Sequence, residues 1–463
     1  MFSRVLVANR GEIAVRVIRG LHELGIEAVA VYSTADRDAL HVELADQSVC
    51  IGPPPAAESY LRIPSIVAAA ETTGCEAVHP GYGFLAESPA LARACEGSGI
   101  VFVGPPAEVM ERMGDKVQAK RELGAAGVPL VPGSDGAATL EEARRTAREA
   151  GFPVLLKASA GGGGKGMRMV SSEEELEGAY AAASLEAESA FGAGELYVEK
   201  VLSPARHVEV QVLCDASGGI LTLGERECSI QRRHQKLVEE SPSPALDPGT
   251  REEMESAAEH ACRAIGYENA GTFEFLLGPD GRFHFIELNC RLQVEHPVSE
   301  LVTGIDIVRE QVRIAAGEAL VLTGRAPRRG HAIEVRINAE DPARDFAPAP
   351  GTVTSFRPPL GAGVRVDTAV VDGCSIPPYY DSLIAKVIVW DRTRPDALTR
   401  AVRALSELEV GGVLTTRELA LDVLRSAEFR SGDYSTTTLA ELSGRVASLP
   451  GEPAAHEPVA SGQ

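Results

Sequence analysis

Val5-Leu6-Val7-Ala8-Asn9-Arg10-Gly11-Glu12-Ile13-Ala14 decides how the chain begins to fold. Val5 to Ala8 is a short apolar run of strand type. Asn9-Arg10-Gly11 interrupts it, and Ile13, Val17, Leu21 and Leu24 then recur at helical spacing. Gly25 stops that helix, and Ala28 to Tyr32 is a second apolar strand. The rhythm continues with a helix over Ile63 to Thr73, a strand at Ala77-Val78-His79 before Pro80-Gly81, and another at Ile100 to Val103. Strands that alternate with helices predict a parallel, doubly wound α/β sheet over residues 1–114.

From Asp115 the pattern changes to helices around a block of strands and one glycine run, Ala160-Gly161-Gly162-Gly163-Gly164-Lys165-Gly166. Between Tyr197 and Phe285 the chain is rich in strands with polar residues at alternate positions, and Glu310 to Gly317 closes a helix. Arg325 to Gly330 reads as a basic linker. The predicted organisation is 1–114, 115–325 with a lid at about 130–203, a small α+β domain over 331–445, and a tail over 446–463. That tail carries too few large apolar side chains to pack and is expected to be disordered. There is no internal repeat.

The chain has 463 residues, and 45 Lys+Arg against 66 Asp+Glu give a formal charge of −21. Such acidity argues against nucleic acid or an anionic membrane as partner, since both recruit surplus cations. Small anions need only a local basic cluster. Eight scattered cysteines without a C-x-x-C pair fit reduced thiols rather than zinc or disulfides. No apolar stretch approaches a membrane span, and the N-terminus lacks a signal peptide's apolar core, so a soluble cytoplasmic protein is expected.

Four segments carry chemistry. The glycine run exposes backbone N–H groups that suit phosphate oxygens. It is not a Walker A loop, because Ser159 and Gly166 stand where Gly and Ser or Thr are required. Lys157, Lys165 and Arg168 favour an anion-binding lid over a flexible linker. Gly81-Tyr82-Gly83-Phe84-Leu85-Ala86 matches a dinucleotide pattern that is weak alone.

The second segment is a hairpin. Thr272 to Leu277 and Arg282 to Glu287 flank the turn Gly278-Pro279-Asp280-Gly281. Pairing Leu277 with Arg282 puts Glu287 opposite Thr272, and Glu274 on the same face one diagonal away. Any even loop keeps that result, and a three-residue loop destroys it. With Asn289 the two carboxylates form an oxygen set suited to Mg²⁺. The third segment, Glu287 to Pro297, alternates Asn289, Arg291, Gln293 and Glu295, which projects one polar row into a cleft. The fourth, Glu227 to Lys236, is densely basic. Further on, Glu334, Arg336 and Asn338 share a strand face.

Taken together these segments resemble biotin carboxylase, of the ATP-grasp superfamily. The resemblance rests on Ala8–Ala14, His79–Leu85, Met113–Lys116, Lys157–Ala160 with the glycine run, Gln231–Lys236, Arg291–Pro297, Arg336–Asp341 and Pro377–Ser382, in family order over residues 1 to 445. It implies an ATP-grasp fold with an N-terminal doubly wound domain, a glycine-rich lid and a C-terminal α+β domain. The implied reaction is carboxylation of biotin at N1′ with ATP and bicarbonate. By position, Lys116, Lys157, His207, Gln231, His234 and the lid residues Gly163, Gly164, Lys165 and Gly166 would contact ATP, and Glu199, Lys200 and Leu202 would hold the adenine. Glu274, Glu287 and Asn289 would bind Mg²⁺ or Mn²⁺. Lys236, Arg291, Gln293 and Val294 would bind bicarbonate, with Glu295 as general base. Arg336 would face the biotin ureido oxygen, and Tyr82 belongs to the same substrate set.

Two departures from the family are Cys290, where Thr is commoner, and Lys165, where some members have Arg. Cys290 is small, so tolerance is expected, with a thiol beside the metal ligands open to oxidation, and neither departure puts the activity in doubt. No Ala-Met-Lys-Met segment appears, so the biotin is expected on a separate carrier protein, with carboxyl transfer by a separate carboxyltransferase subunit. A homodimeric state is also expected. The expected role is the first half-reaction of an acetyl- or acyl-CoA carboxylase. The alternatives are another ATP-grasp carboxylate–amine ligase or a silent scaffold subunit. Finally, Lys116, Lys157, Lys165, Arg168, Lys200, Arg232, Arg233, Lys236, Arg291 and Arg336 are expected to converge on one cleft and leave the acidic surplus outside.

Overall fold

The computed structural model describes residues 1–134, 136, 138–159, 167–233 and 235–447. Five strands open the chain: β1 (Arg4–Val7), β2 (Glu27–Ser33), β3 (Gln47–Gly52), β4 (Ala77–His79) and β5 (Val101–Phe102). They form one parallel sheet in the order β3-β2-β1-β4-β5. The helix α1 (Gly11–Glu23) packs on it through Ile13, Ala14, Val17, Ile18 and Leu21, three of which, Ile13, Val17 and Leu21, belong to the spacing that announces it. Strand order reverses between β1 and β4, so the crevice for a ligand opens beyond their carboxyl ends. Two loops meet there. The Asn9 side-chain amide donates to the carbonyls of Pro80 and Tyr82, both at 2.7 Å. Gly81 takes φ +64° in this crossing, and a Cβ would lie 3.0 Å from Ile13 and 3.1 Å from the Asn9 amide.

A small antiparallel sheet follows, β7 (Met167–Val170), β6 (Val154–Ala158) and β8 (Leu196–Lys200) in that spatial order. Along β6 the residues Val154, Leu156 and Ala158 are buried, which turns Leu155 and Lys157 to the other face. The body is a nine-stranded sheet, of which one short strand, Gly324–Arg325, pairs in parallel beside Ile220–Arg232. β9 (Arg206–Cys214), β10 (Ile220–Arg232), β11 (Gln235–Ser241), β12 (Asn269–Leu277) and β13 (Phe283–Asn289) run in the order β13-β12-β9-β10-β11. The sheet then continues through His331–Asn338, Leu383–Asp391 and Val364–Thr368, all antiparallel. One sheet therefore crosses from the middle of the chain into its C-terminal part. The segment 325–330 that connects them is pinned rather than loose: Arg325 bonds Glu252 at 2.7 Å, and Arg328 bonds Glu225 at 3.0 Å. Among the described residues no helix is long and apolar enough to cross a membrane.

Candidate functional site

A cleft of about 1200 Å³ lies where the first parallel sheet, the small lid sheet and the long sheet face one another. Its floor is set by a cross-strand row. Glu287 on β13 lies opposite Glu274 on β12, Glu274 opposite Glu209 on β9, and Glu209 opposite Arg226 on β10. Like charges directly opposite in a sheet destabilise it unless cations intervene. Lys116 Nζ lies 3.1 Å from Glu287, His207 Nε2 lies 2.8 Å from Glu274, and Lys236 Nζ reaches Glu274 at 3.0 Å and Glu209 at 2.5 Å.

The shared face of Glu274 and Glu287 arises by a different register from the one expected. The turn end of the hairpin pairs Leu277 with Phe283, and Gly278 N–H donates to the Arg282 carbonyl across the three residues 279–281. An odd loop of this kind would separate the two carboxylates onto opposite faces. A bulge between Glu274 and Phe275 adds one residue on β13 and restores the parity, so the pair ends directly opposite rather than diagonal. Two carboxylates with the Asn289 amide are hard oxygen donors and suit Mg²⁺. Asn289 is fixed at both ends, its amide N–H donating to Glu274 at 2.8 Å and its oxygen accepting from Arg291 at 2.8 Å.

β13 ends at Asn289, and the chain then presents Arg291, Gln293 and Glu295 along the cleft. Arg291 donates to Gln293 Oε1 at 2.9 Å and to Glu87 at 3.1 Å, and Gln293 donates to Glu274 at 3.1 Å. Glu295 is wholly buried. Its two oxygens face two cations: Lys236 at 2.5 Å on one, Arg336 at 2.9 Å on the other. Burial alone would raise this carboxyl, but Lys236 and Arg336 outweigh it and hold Glu295 well below the usual carboxylate range. Burial likewise acts to lower Lys236, and Glu209, Glu274 and Glu295 raise it well above its ordinary value. Arg336 is set by Glu239, which accepts from its Nε at 2.6 Å.

On the lid side, Glu199 is buried between Lys157 at 2.6 Å and Lys120 at 3.1 Å. Leu202 and Gln231 line the same part of the cleft, and the Gln231 amide lies 3.4 Å from His207 Nδ1. Tyr82 borders the cleft from the β4 loop, with its hydroxyl bonded to Glu12. Gly163, Gly164, Lys165, Gly166 and His234 lie outside the described residues, as does the tail from residue 448.

Two of the expected cations lie elsewhere. Arg168 is exposed and pairs with Glu186 at 3.3 Å outside the cleft. Arg232 turns to Asp345 at 2.5 Å and stacks over Phe346 at 4.1 Å. Lys200 lines the cleft, and its ammonium bonds the carbonyls of Gly151 at 2.6 Å and Phe152 at 3.2 Å. The other described cations of the set line the cleft. Cys290 is buried with its N–H on Glu87 at 2.9 Å, and burial pushes its thiol well up. Its burial fits the expected tolerance of the small thiol at this position.

Sequence patterning did not single out Glu209, Arg226, Glu239, Glu87 or Lys120. A usable signal exists for the first: His207, Glu209 and Gln211 alternate with Val208, Val210 and Val212, so one face of β9 is polar although every residue after Arg206 is buried.

This fold and cleft define an ATP-grasp enzyme: a nucleotide-sized cleft between a lid and an antiparallel sheet that carries paired carboxylates and lysines. The match to known families agrees. Residues 1–110 match the biotin carboxylase N-terminal domain, 115–323 the ATP-binding domain of the carbamoyl-phosphate synthase L chain, and 334–441 the biotin carboxylase C-terminal domain. A biotin carboxylase of Pseudomonas aeruginosa is 55% identical over 93% of this chain and 96% of its own length. A pyruvate carboxylase subunit of Methanothermobacter thermautotrophicus is 53% identical over 94% of this chain and 89% of its own. The crystal structure of the biotin carboxylase domain dimer of Hydrogenobacter thermophilus 2-oxoglutarate carboxylase, in complex with MgADP, ADP and bicarbonate, superposes with a TM-score of 0.92. It is 50% identical over 95% of this chain and 98% of that one. The chain belongs to the biotin carboxylase family and is an ATP-dependent ligase.

Proposed function

We propose that this chain carboxylates biotin carried on a separate carrier protein, as the first half-reaction of an acetyl- or acyl-CoA carboxylase, and that it works as a homodimer. The observation that carries the chemistry is the Glu295 carboxylate held between Lys236 and Arg336 beside Arg291 and Gln293. The Pseudomonas relative, a biotin carboxylase 55% identical to this chain, supports the carboxylation of biotin. The solved relative was crystallised as a dimer with MgADP and bicarbonate.

In this reading ATP lies between lid and sheet, its base near Glu199, Lys200 and Leu202 and its phosphates toward Lys116, Lys157, His207, Gln231, His234 and the 163–166 glycine loop. Glu274, Glu287 and Asn289 would hold Mg²⁺ or Mn²⁺, which when bound neutralises phosphate charge. Bicarbonate sits against Lys236, Arg291, Gln293 and Val294, where the planar Arg fork suits a planar anion. Glu295 takes the bicarbonate proton as its oxygen attacks the γ-phosphorus, ADP leaves, and carboxyphosphate forms. Carboxyphosphate breaks into CO₂ and phosphate. That phosphate removes the N1′ proton, the N1′ nitrogen attacks CO₂, and Arg336, with Tyr82 nearby, stabilises the ureido oxyanion.

The test is ATP hydrolysis that depends on bicarbonate and rises with free biotin, measured with and without Mg²⁺. Folded protein that hydrolyses ATP without any response to biotin refutes the reading. Acceptor choice is tested by reconstitution with the partner carboxyltransferase, in which acetyl-CoA rather than pyruvate is expected to be carboxylated. Replacing Arg336 by Ala is expected to lower biotin carboxylation at least about tenfold more than ATP binding. Equal losses in both assays count against its role at the ureido oxygen.

A further inference from the structure

One fully buried lysine stands behind the bicarbonate segment. Lys386 lies on the strand Leu383–Asp391, directly opposite Arg336 on one side and Asp367 on the other, so the three side chains share one face of the sheet. Its Nζ donates to the Val294 carbonyl at 2.9 Å and pairs with Glu12 at 3.1 Å, while Asp367 stands 3.8 Å away. Glu12 comes from the first turn of α1 and accepts from the Tyr82 hydroxyl. The neighbouring Gln293 carbonyl is held in turn by the His296 ring at 2.8 Å. A buried ammonium is costly and persists only when paired and hydrogen-bonded. The pairing here joins all three parts of the chain at a single backbone carbonyl.

We propose that Lys386 is a positioning residue for bicarbonate activation: braced by Glu12, its ammonium holds the Val294 carbonyl and so fixes the peptide that leads into Glu295. The trans amide is planar, so holding Val294 C=O fixes the direction of the Glu295 N–H and the root of the Glu295 side chain. The effect passes through the backbone, because Lys386 itself does not reach Lys236, Arg291 or Gln293. Arg336 already neutralises one Glu295 oxygen from the front, and Lys386 secures the same residue from behind. This inference rests on the assignment of Gln293 to Glu295 to bicarbonate.

The experiment compares wild type, Lys386→Met and the double variant Lys386→Met with Glu12→Gln, reading KM for bicarbonate, KM for ATP, kcat and thermal stability. Lys386→Met is expected to raise the bicarbonate KM about tenfold with the ATP KM unchanged, the loss of one charged hydrogen bond. It also strands Glu12, so its stability falls. The double variant removes both charges and is expected to regain stability, because a neutral pair replaces a buried ion pair. Its bicarbonate KM stays high. Recovery of that KM together with stability means that Lys386 serves folding alone and overturns the proposal, as does an unchanged KM in either variant. A wild-type enzyme without bicarbonate-dependent turnover refutes instead the underlying assignment.

Discussion

Glu295→Gln is expected to lower bicarbonate-dependent ATP turnover on the order of 10²–10⁴-fold while ATP affinity changes little. The amide keeps the shape of the side chain but cannot accept the bicarbonate proton. The substitution leaves no cation stranded: Lys236 keeps Glu209 and Glu274, and Arg336 keeps Glu239. It also relieves crowding, because the Glu295 charge is one of the influences that, after burial, raise the Glu209 carboxyl. Lost folding therefore does not account for lost turnover. With its oxygens paired to Lys236 and Arg336, Glu295 is held far below the usual carboxylate range, which makes it a weak base. Both cations are also placed to meet anions of the reaction, and a cation that turns to substrate restores basicity to Glu295. ADP release at saturating bicarbonate, alongside calorimetric ATP binding, checks the prediction. Full turnover in the variant rules out Glu295 as the base.

Much of this arrangement was legible in the chain, for reasons that differ from one part to the next. The parallel sheet announced itself through apolar runs and the 3.6-residue period of Ile13, Val17 and Leu21, because each element buries one continuous face. The row Asn289, Arg291, Gln293 and Glu295 was legible because alternate polar residues after a strand point one way. The register of the hairpin was not. Loop length and a bulge each shift parity by one, and here both occur, so the expected same-face pair is reached through two offsetting departures. Arg232 and Arg168 were misplaced because charge density along a sequence does not say which way a side chain leaves its strand. Lys386 and Glu239 stayed hidden for a different reason. Lys386 stands among apolar neighbours and Glu239 beside a second glutamate, and each takes its meaning from groups distant in sequence, Glu12 and Val294 for one, Arg336 for the other.

Arg226→Met is expected to destabilise the folded chain by about 3–5 kcal/mol, the largest stability effect of any single substitution considered for this site. Arg226 has no exposed surface. Its Nε bonds Glu209 at 2.5 Å, Nη1 bonds Gln211 at 2.7 Å and Ser299 at 3.0 Å, and Nη2 bonds Thr272 at 3.1 Å. The guanidinium thus closes the row of three carboxylates that begins with Glu287. Met fills similar volume but leaves the Glu209 carboxylate, already raised by burial and by Glu295, with Lys236 as its only ion-pair partner among the described residues. Lys236 is shared with Glu274 and Glu295, so each of those pairs weakens as well. Adding Glu209→Gln removes the stranded charge, and the double variant is expected to regain most of the loss, a coupling that denaturant unfolding of both singles and the double measures directly. Additive losses mean that Arg226 acts through packing alone and not through Glu209. Turnover discriminates further: the stabilised double variant still lacks the carboxylate that steadies Lys236 from behind, so its bicarbonate-dependent rate is expected to stay below wild type although its fold recovers.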